Sequence, residues 1–446
     1  MRTLRRSFKS LGLILKRWRS MKIIDSSHGD FPSFWKETLQ RRKSAFEEVS
    51  ERVKEILEKV KRGGDEALCE LTQKLDGIRL EPHQLEIKKE KWVEAEKEID
   101  PSLKEALFRA KKEIESFCLS SLPQDWMEVK EGIIRGEVFR PVEKVGLYVP
   151  GGKASYPSSV LMGVVPAVVA GVKEVIVVSP PPPRPVLLYA ALISGASRFF
   201  QIGGAQAIGA LAYGTESIPQ VDLIVGPGNL YVQAAKKLLY GEVGIDMLAG
   251  PSELLIFSDG STSPHKAALD LLSQAEHDED AWVILITPDR SYAQRVLEEV
   301  HELLYGFVRK EMARRCLKEN GFIIIVRDLK EGMDLVNQFA PEHLELHLKD
   351  AWQWFGEVKN AGSVFIGEET SVAFGDYCGG PNHILPTTGA ARFSSPLGVE
   401  NFLKRIQFLS ITGEKLKELA FVGMRLSEEE GLLGHRDALL GRLKDG

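Results

Sequence analysis

The sequence predicts an α/β protein of two doubly wound lobes with mainly parallel sheets, and three observations lead there. From residue 142 onward, short β-branched runs alternate with small-residue helical stretches at a spacing that suits right-handed β-α-β units. Three of these expected strands end in glycine where a helix should begin, at Gly151-Gly152, Gly203-Gly204 and Gly226-Pro227-Gly228-Asn229. The chain has 446 residues, too many for one ordinary core, so two large lobes with smaller appendages are expected.

In chain order, residues 1–20 carry seven Lys or Arg and no acid, which would suit a targeting segment or a basic amphipathic arm. We read them as a disordered extension, because Met21 opens a second start and the apolar run at 11–15 is short for a signal peptide. Residues 33–78 read as helices, with Phe46, Val49, Val53, Ile56, Leu57 and Val60 at helical spacing and a break at Gly63-Gly64. Asp100-Pro101 starts a further helix over 101–119. Strands then open near residues 145, 172, 198 and 221, each followed by a helix. After Gly250-Pro251-Ser252-Glu253 a second set follows, with strands at 254–257, 282–287 and 322–326 and helices at 264–276 and 291–305. A buried strand at 363–367 leads into a segment running to residue 397 whose glycines and prolines predict a shaped loop. Residues 399–446 read as helical.

Composition narrows the function. Hydrophobic residues at 43%, charged residues at 27% and a net charge of −5 describe a soluble protein without the basic excess of a nucleic-acid binder. No apolar run reaches the length of a membrane span. The four cysteines, Cys69, Cys118, Cys316 and Cys378, show no CxxC spacing, which argues against a disulfide framework or a thiolate zinc knuckle and fits a reducing cytoplasm. Small-molecule partners are expected.

The glycine-ended strands suit a nucleotide, since helix N-termini at the carboxyl ends of strands favour a pyrophosphate. None forms a GxGxxG fingerprint, so ordinary tight β-α turns remain an alternative. Gln274 and His277 lie three apart and share a helix face from which both could reach one ion; a plain polar helix end is the other reading. Glu342-His343 follows Ala340-Pro341, placing an acid beside a base for separate proton transfers, or else opening a helix. Asp376, Cys378, Asn382 and His383 crowd into eight residues. Together with Gln274, the histidines and Asp376 make a nitrogen and oxygen ligand set suited to zinc. Cys378 is either a thiolate nucleophile beside His383 or a small buried residue between glycines.

The motifs GLYVPGG, GGAQAIGALAYGT, GPGN, GPSE, LLSQAEHD, APEHLE, AGSVFIG, DYCGGPNHILPT and EGLLGH, in this order, closely resemble the histidinol dehydrogenase family from about residue 23 to the end. The resemblance implies two Rossmann-like lobes, one NAD-binding (147–252) and one catalytic and discontinuous (45–146 with 253–398). It adds an N-terminal dimerisation segment (21–44) and a C-terminal helical segment (399–446) that reaches the partner's active site. It implies a zinc-dependent, NAD-linked oxidation of L-histidinol through L-histidinaldehyde to L-histidine. One zinc per subunit would sit on Gln274, His277, Asp376 and His435. The acid-base pair would be Glu342 and His343. Substrate would also meet Ser252, His383 and Glu430, and NAD would meet Tyr148, Gln206 and Asn229. The implied assembly is a cytoplasmic homodimer in which His435 and Glu430 act in trans. Three competing functions are a cysteine-based aldehyde dehydrogenase using Cys378, a zinc hydrolase with Glu342 as base, and a non-catalytic nucleotide-binding scaffold.

Overall fold

The computed structural model describes residues 21–42, 48–151 and 155–444, so the basic arm of residues 1–20 lies outside the described residues. The chain opens with β1 (Lys22–Asp25) and α1 (Phe31–Arg41), then α2 (Ser50–Asp76), α3 (Lys89–Glu96) and α4 (Pro101–Ser120). The strands β2 (Trp126–Lys130) and β3 (Ile133–Pro141) follow. The first lobe runs β4 (Lys144–Tyr148), α5 (Pro157–Val169), β5 (Glu174–Val178), α6 (Pro185–Ser194), β6 (Arg198–Phe200) and α7 (Gly204–Tyr213). It closes with β7 (Leu223–Val225), α8 (Leu230–Leu239) and β8 (Gly244–Ile245). The second lobe begins with β9 (Glu253–Ser258), α9 (Pro264–Ala275), β10 (Trp282–Thr287), α10 (Arg290–Gly306), α11 (Lys310–Asn320) and β11 (Gly321–Ile325). It continues through α12 (Leu329–Phe339), β12 (His343–His347), α13 (Ala351–Phe355), β13 (Ser363–Ile366) and α14 (Val372–Tyr377). The C-terminal part is β14 (Leu403–Ile411), α15 (Gly413–Glu429) and α16 (Leu433–Lys444).

Both expected parallel sheets are present. The first has the order β6-β5-β4-β7-β8 and the second β1-β11-β10-β9-β12-β13. Their strands are apolar on both faces because each sheet is covered on both sides. In the first sheet Val145, Leu147, Val175 and Val177 face α5 and α6, while Ile176, Val178, Phe200 and Ile224 face α2, α7 and α8. In the second, Leu254, Ile256, Val283 and Leu285 face α9 and α10, whereas Leu255, Phe257, Ile284 and Ile286 face α12 and α1. Proline sets the first turn of α4, α5, α6 and α9, where its missing N–H is no loss. The Gly63-Gly64 break exists: Gly64 is non-helical (φ 48°) and kinks α2.

Three expectations are corrected. The tail is not all helical, because β14 pairs antiparallel with β3, which also pairs with β2. That pairing joins residues some 270 apart, and no local pattern announces it. The segment after β13 contains a helix, α14, which carries Asp376; Ser371 Oγ caps it by accepting from the Ala373 N–H at 3.3 Å. Its Gly375 is there for space, since a Cβ would lie 2.6 Å from the Phe365 ring. Residues 50–120, expected in the catalytic lobe, pack instead on the first sheet: Val53, Leu57 and Val60 against Ile208 and Leu211, and Trp92 and Ile114 in the core of Val160 and Leu161. The segment 21–42 is built into the second sheet, where β1 pairs with β11 and α1 buries Phe31 and Trp35 beside Phe339.

Candidate active site

The candidate residues meet where the amino edge of the second sheet faces the first lobe. α12 stops at Ala340, which adopts a left-handed conformation (φ 51°), and Pro341 redirects the chain so that Glu342 and His343 enter β12. The two are therefore at a strand start, not in a helix first turn. Both are buried. The His343 Nδ1–H donates to the Glu253 carbonyl at 3.0 Å, which leaves Nε2 as the lone-pair nitrogen. That nitrogen lies 3.6 Å from Asp376 Oδ1. The Glu253 N–H donates to Glu342 Oε2 at 2.7 Å, and the Glu342 N–H returns a bond to Glu253 Oε2 at 3.2 Å.

Glu253 is the keystone that sequence reading missed. Fully buried, it accepts from Arg42 Nε at 2.9 Å and from the Thr388 N–H at 2.9 Å, and Arg42 also donates to the Phe339 carbonyl at 2.6 Å. Its place in GPSE was a signal available in the sequence. Nothing marked Arg42, which lies 211 residues away.

Asp376 draws the imidazoles together. Burial opposes its ionisation, yet His343, His383 and His277 hold its carboxyl below the usual range. Burial pushes Glu342 up to about 8 despite the nearby imidazole. Burial disfavours a charged His343, but Glu342 and Asp376 prevail and raise it to about 9. His383 is held low, chiefly by burial; its Nδ1–H donates to the Asp376 carbonyl at 2.9 Å and its Nε2 meets Ser159 Oγ at 3.2 Å. Asn382 fixes this turn, donating to the Met162 carbonyl at 2.7 Å and accepting from the Ile384 N–H at 2.9 Å. His383 and Asn382 thus bind the loop to α5 of the first lobe.

Gln274 ends α9, buried, with Nε2 lacking a partner. His277 follows just past the helix end, where its N–H still reaches the Gln274 carbonyl at 3.2 Å. The charge of His277 reaches both Asp376 and His383.

The sequence profile of the histidinol dehydrogenase family matches residues 39–443. The chain belongs to that family. It is 49% identical over 399 residues to the histidinol dehydrogenase of Aquifex aeolicus, covering 90% of this chain and 93% of that one. To the Bacillus cereus histidinol dehydrogenase it is 47% identical over 403 residues, covering 90% and 94%. The crystal structure of histidinol dehydrogenase from Elizabethkingia anophelis superposes with a TM-score of 0.91 at 35% identity, over 96% of this chain and 98% of that chain.

Within this family member, the remaining expected residues divide. Ser252 stands immediately before Glu253, its carbonyl accepting from the Trp282 N–H at 2.9 Å. Tyr148 ends β4 with its hydroxyl accepting from the Gly204 N–H at 3.2 Å, and burial pushes its pKa up to about 12. Gln206 is buried on α7 with Oε1 unpartnered. Gly204 has φ 65°, and a Cβ there would lie 2.6 Å from that carboxamide oxygen. The Asn229 side chain caps α8, accepting from the Tyr231 and Val232 N–H groups at 3.1 and 3.2 Å. His435 and Glu430 are not brought to the cluster within one chain: both are exposed, and among the described residues no side-chain contact joins them to it. Cys378 is exposed, which corrects the expectation of a small buried cysteine.

Proposed function

We propose that this protein oxidises L-histidinol through L-histidinaldehyde to L-histidine, the last steps of histidine biosynthesis, as a zinc- and NAD-dependent homodimer. The observation that carries the reading is His343: a buried imidazole whose Nδ1–H is committed to a carbonyl and whose Nε2 faces Asp376, with a second buried base one residue before it. Such a pair suits successive removals of protons from oxygens at one carbon centre.

Gln274, His277, Asp376 and His435 of the partner subunit would hold the metal. The donors are nitrogen and oxygen only, a set that zinc accepts, and Gln274 would offer its carboxamide oxygen from a buried position. When bound, zinc would orient the imidazole and amine nitrogens of histidinol, and NAD would accept hydride. His343 Nε2 takes the hydroxyl proton of the alcohol as hydride leaves its carbon, giving the aldehyde. Glu342 takes a proton from water as the water oxygen adds to the aldehyde carbon. His343, once it has released its first proton to solvent, takes a hydroxyl proton from the hydrate as a second hydride leaves, and the acid results; one water is consumed and two NAD are reduced. Ser252, His383 and Glu430 of the partner subunit would position the substrate. Tyr148, Gln206 and Asn229 would line the nicotinamide cofactor's path on the first lobe, residues 147–252.

Support for the dimer is the apolar surface a single chain leaves uncovered, including Met127, Val129 and Leu409 on the antiparallel sheet and Phe421 and Leu426 on α15. Among the described residues no helix is long and apolar enough to cross a membrane. All four cysteines are free, which suits a cytoplasmic location. The deciding experiment is metal analysis with a histidinol and NAD absorbance assay before and after chelation. Zinc-restored turnover producing two NADH per histidinol is expected. Turnover without nicotinamide reduction would point to a hydrolase, and activity lost to thiol alkylation but not to chelation would point to Cys378.

A further inference from the structure

Deeper along the same strand and helix lies a second group of ligand-type side chains. β12 alternates, so Leu344 and Leu346 enter the core shared with α12 while His343, Glu345 and His347 face the other side. α9 presents Asp270 there, one turn before Gln274. Asp270, Glu345 and His347 are all buried, and their ligand atoms lie within 4.8 Å of one another. His347 Nε2 is 3.2 Å from Glu345 Oε2 and 3.9 Å from Asp270 Oδ2. Two ligands each about 2.1 Å from a tetrahedral zinc would be ~3.4 Å apart, between those separations.

Hydrogen bonding points the same way. Glu345 Oε1 accepts from the Val372 N–H at 2.7 Å, and Asp270 Oδ1 accepts from Ser371 Oγ at 2.6 Å. One oxygen of each carboxylate is therefore anchored by the start of α14, and the other lies toward the imidazole. Both ring nitrogens of His347 and Glu345 Oε2 have no hydrogen-bond partner, although both residues are 0% exposed. Orphaned buried polar atoms of this kind are rare and call for an unseen partner. A proton shared between the two carboxylates would satisfy at most one of the three orphans. Lys266, which feels the charge of Asp270, is already paired with Glu368 and Glu369.

We propose that Asp270, Glu345 and His347 form a second divalent-cation site of the zinc class, one that clamps α9, β12 and the start of α14 behind the catalytic residues. One imidazole and two carboxylates are ligands zinc accepts, and a fourth position is left for water. The enclosure excludes substrate, so the ion is structural.

The test counts metal on the full-length protein, stripped with chelator, reloaded with excess zinc and passed through a desalting column. His347→Gln is expected to hold one equivalent fewer than the unchanged protein while keeping its histidinol turnover, and zinc is expected to remain bound to His277→Ala/Asp376→Asn. Equal zinc content in H347Q and the unchanged protein would overturn the proposal, whatever the first site binds. Should H347Q fail to elute as a folded species, Asp270→Asn, which preserves side-chain shape, is to show the same one-equivalent loss; full zinc content in folded D270N would equally overturn it.

Discussion

Glu342 and His343 are adjacent in sequence but held by opposite means, one carboxyl accepting a backbone N–H and one imidazole donating to a backbone carbonyl, both from Glu253. Two bases fixed separately can serve separate steps. Glu342→Gln is therefore expected to slow the aldehyde-to-acid half by about 10²–10⁴, the usual worth of a general base, and the alcohol-to-aldehyde half much less. Single-turnover measurements started from histidinol and from histidinaldehyde check this, and equal loss in both would defeat the division of labour. The pH profile follows from the same pair. Each must lose its proton to act, and burial holds Glu342 up to about 8 while neighbouring carboxylates hold His343 up to about 9. Turnover should then rise on the alkaline side of neutrality, and E342Q should lose the lower inflection of the aldehyde half; a profile flat through that range would refute the assignment. Both residues were legible in the sequence because proline places them and they are contiguous. Arg42 was not, because an ion pair across 211 residues leaves no local trace.

At the scale of elements, legibility followed locality. The parallel strands were readable because two-sided burial demands uninterrupted apolar runs, as in Leu254, Leu255, Ile256 and Phe257. β14 was not, because its exposed residues include Lys404, Arg405, Ile406 and Gln407 and its stability comes from pairing with β3. α14 was hidden by Gly375, whose role is to clear the Phe365 ring, a tertiary fact. The join between α1 and the strand starts is one further element-level feature, since Arg42 at the end of α1 clamps Glu253 at the start of β9. Removing one partner of such a buried pair strands the other charge. Arg42→Ala should thus cost about 3–5 kcal/mol of stability, measured by urea unfolding, and lower kcat through a loosened Glu342. Loss of stability with kcat intact in the folded fraction would show that Glu253 supports the fold without positioning the base.

On the scale of the whole molecule, the site lies between unlike edges of two sheets. Tyr148 closes a strand of the first sheet, whereas Glu253, His343 and Ser363 open strands of the second. Ligand binding beyond carboxyl ends, the rule for open α/β sheets, would thus hold for the first lobe alone, while the second presents its amino edge to the candidate cluster. Only the order of the lobes was readable in advance; that they present opposite edges follows from how 367–397 folds back onto α5 through His383 and Asn382. One chain still leaves His435 and Glu430 exposed and outside the cluster. If the dimer completes the site, two inactive variants should complement each other. His343→Asn and His435→Asn, unfolded and refolded together, would form mixed dimers in which one site has both defects and the other has neither. Random pairing makes half the dimers mixed, so about a quarter of unchanged activity should return from two silent preparations. No recovery in a mixture verified to contain mixed dimers would mean that each chain builds its site from its own residues.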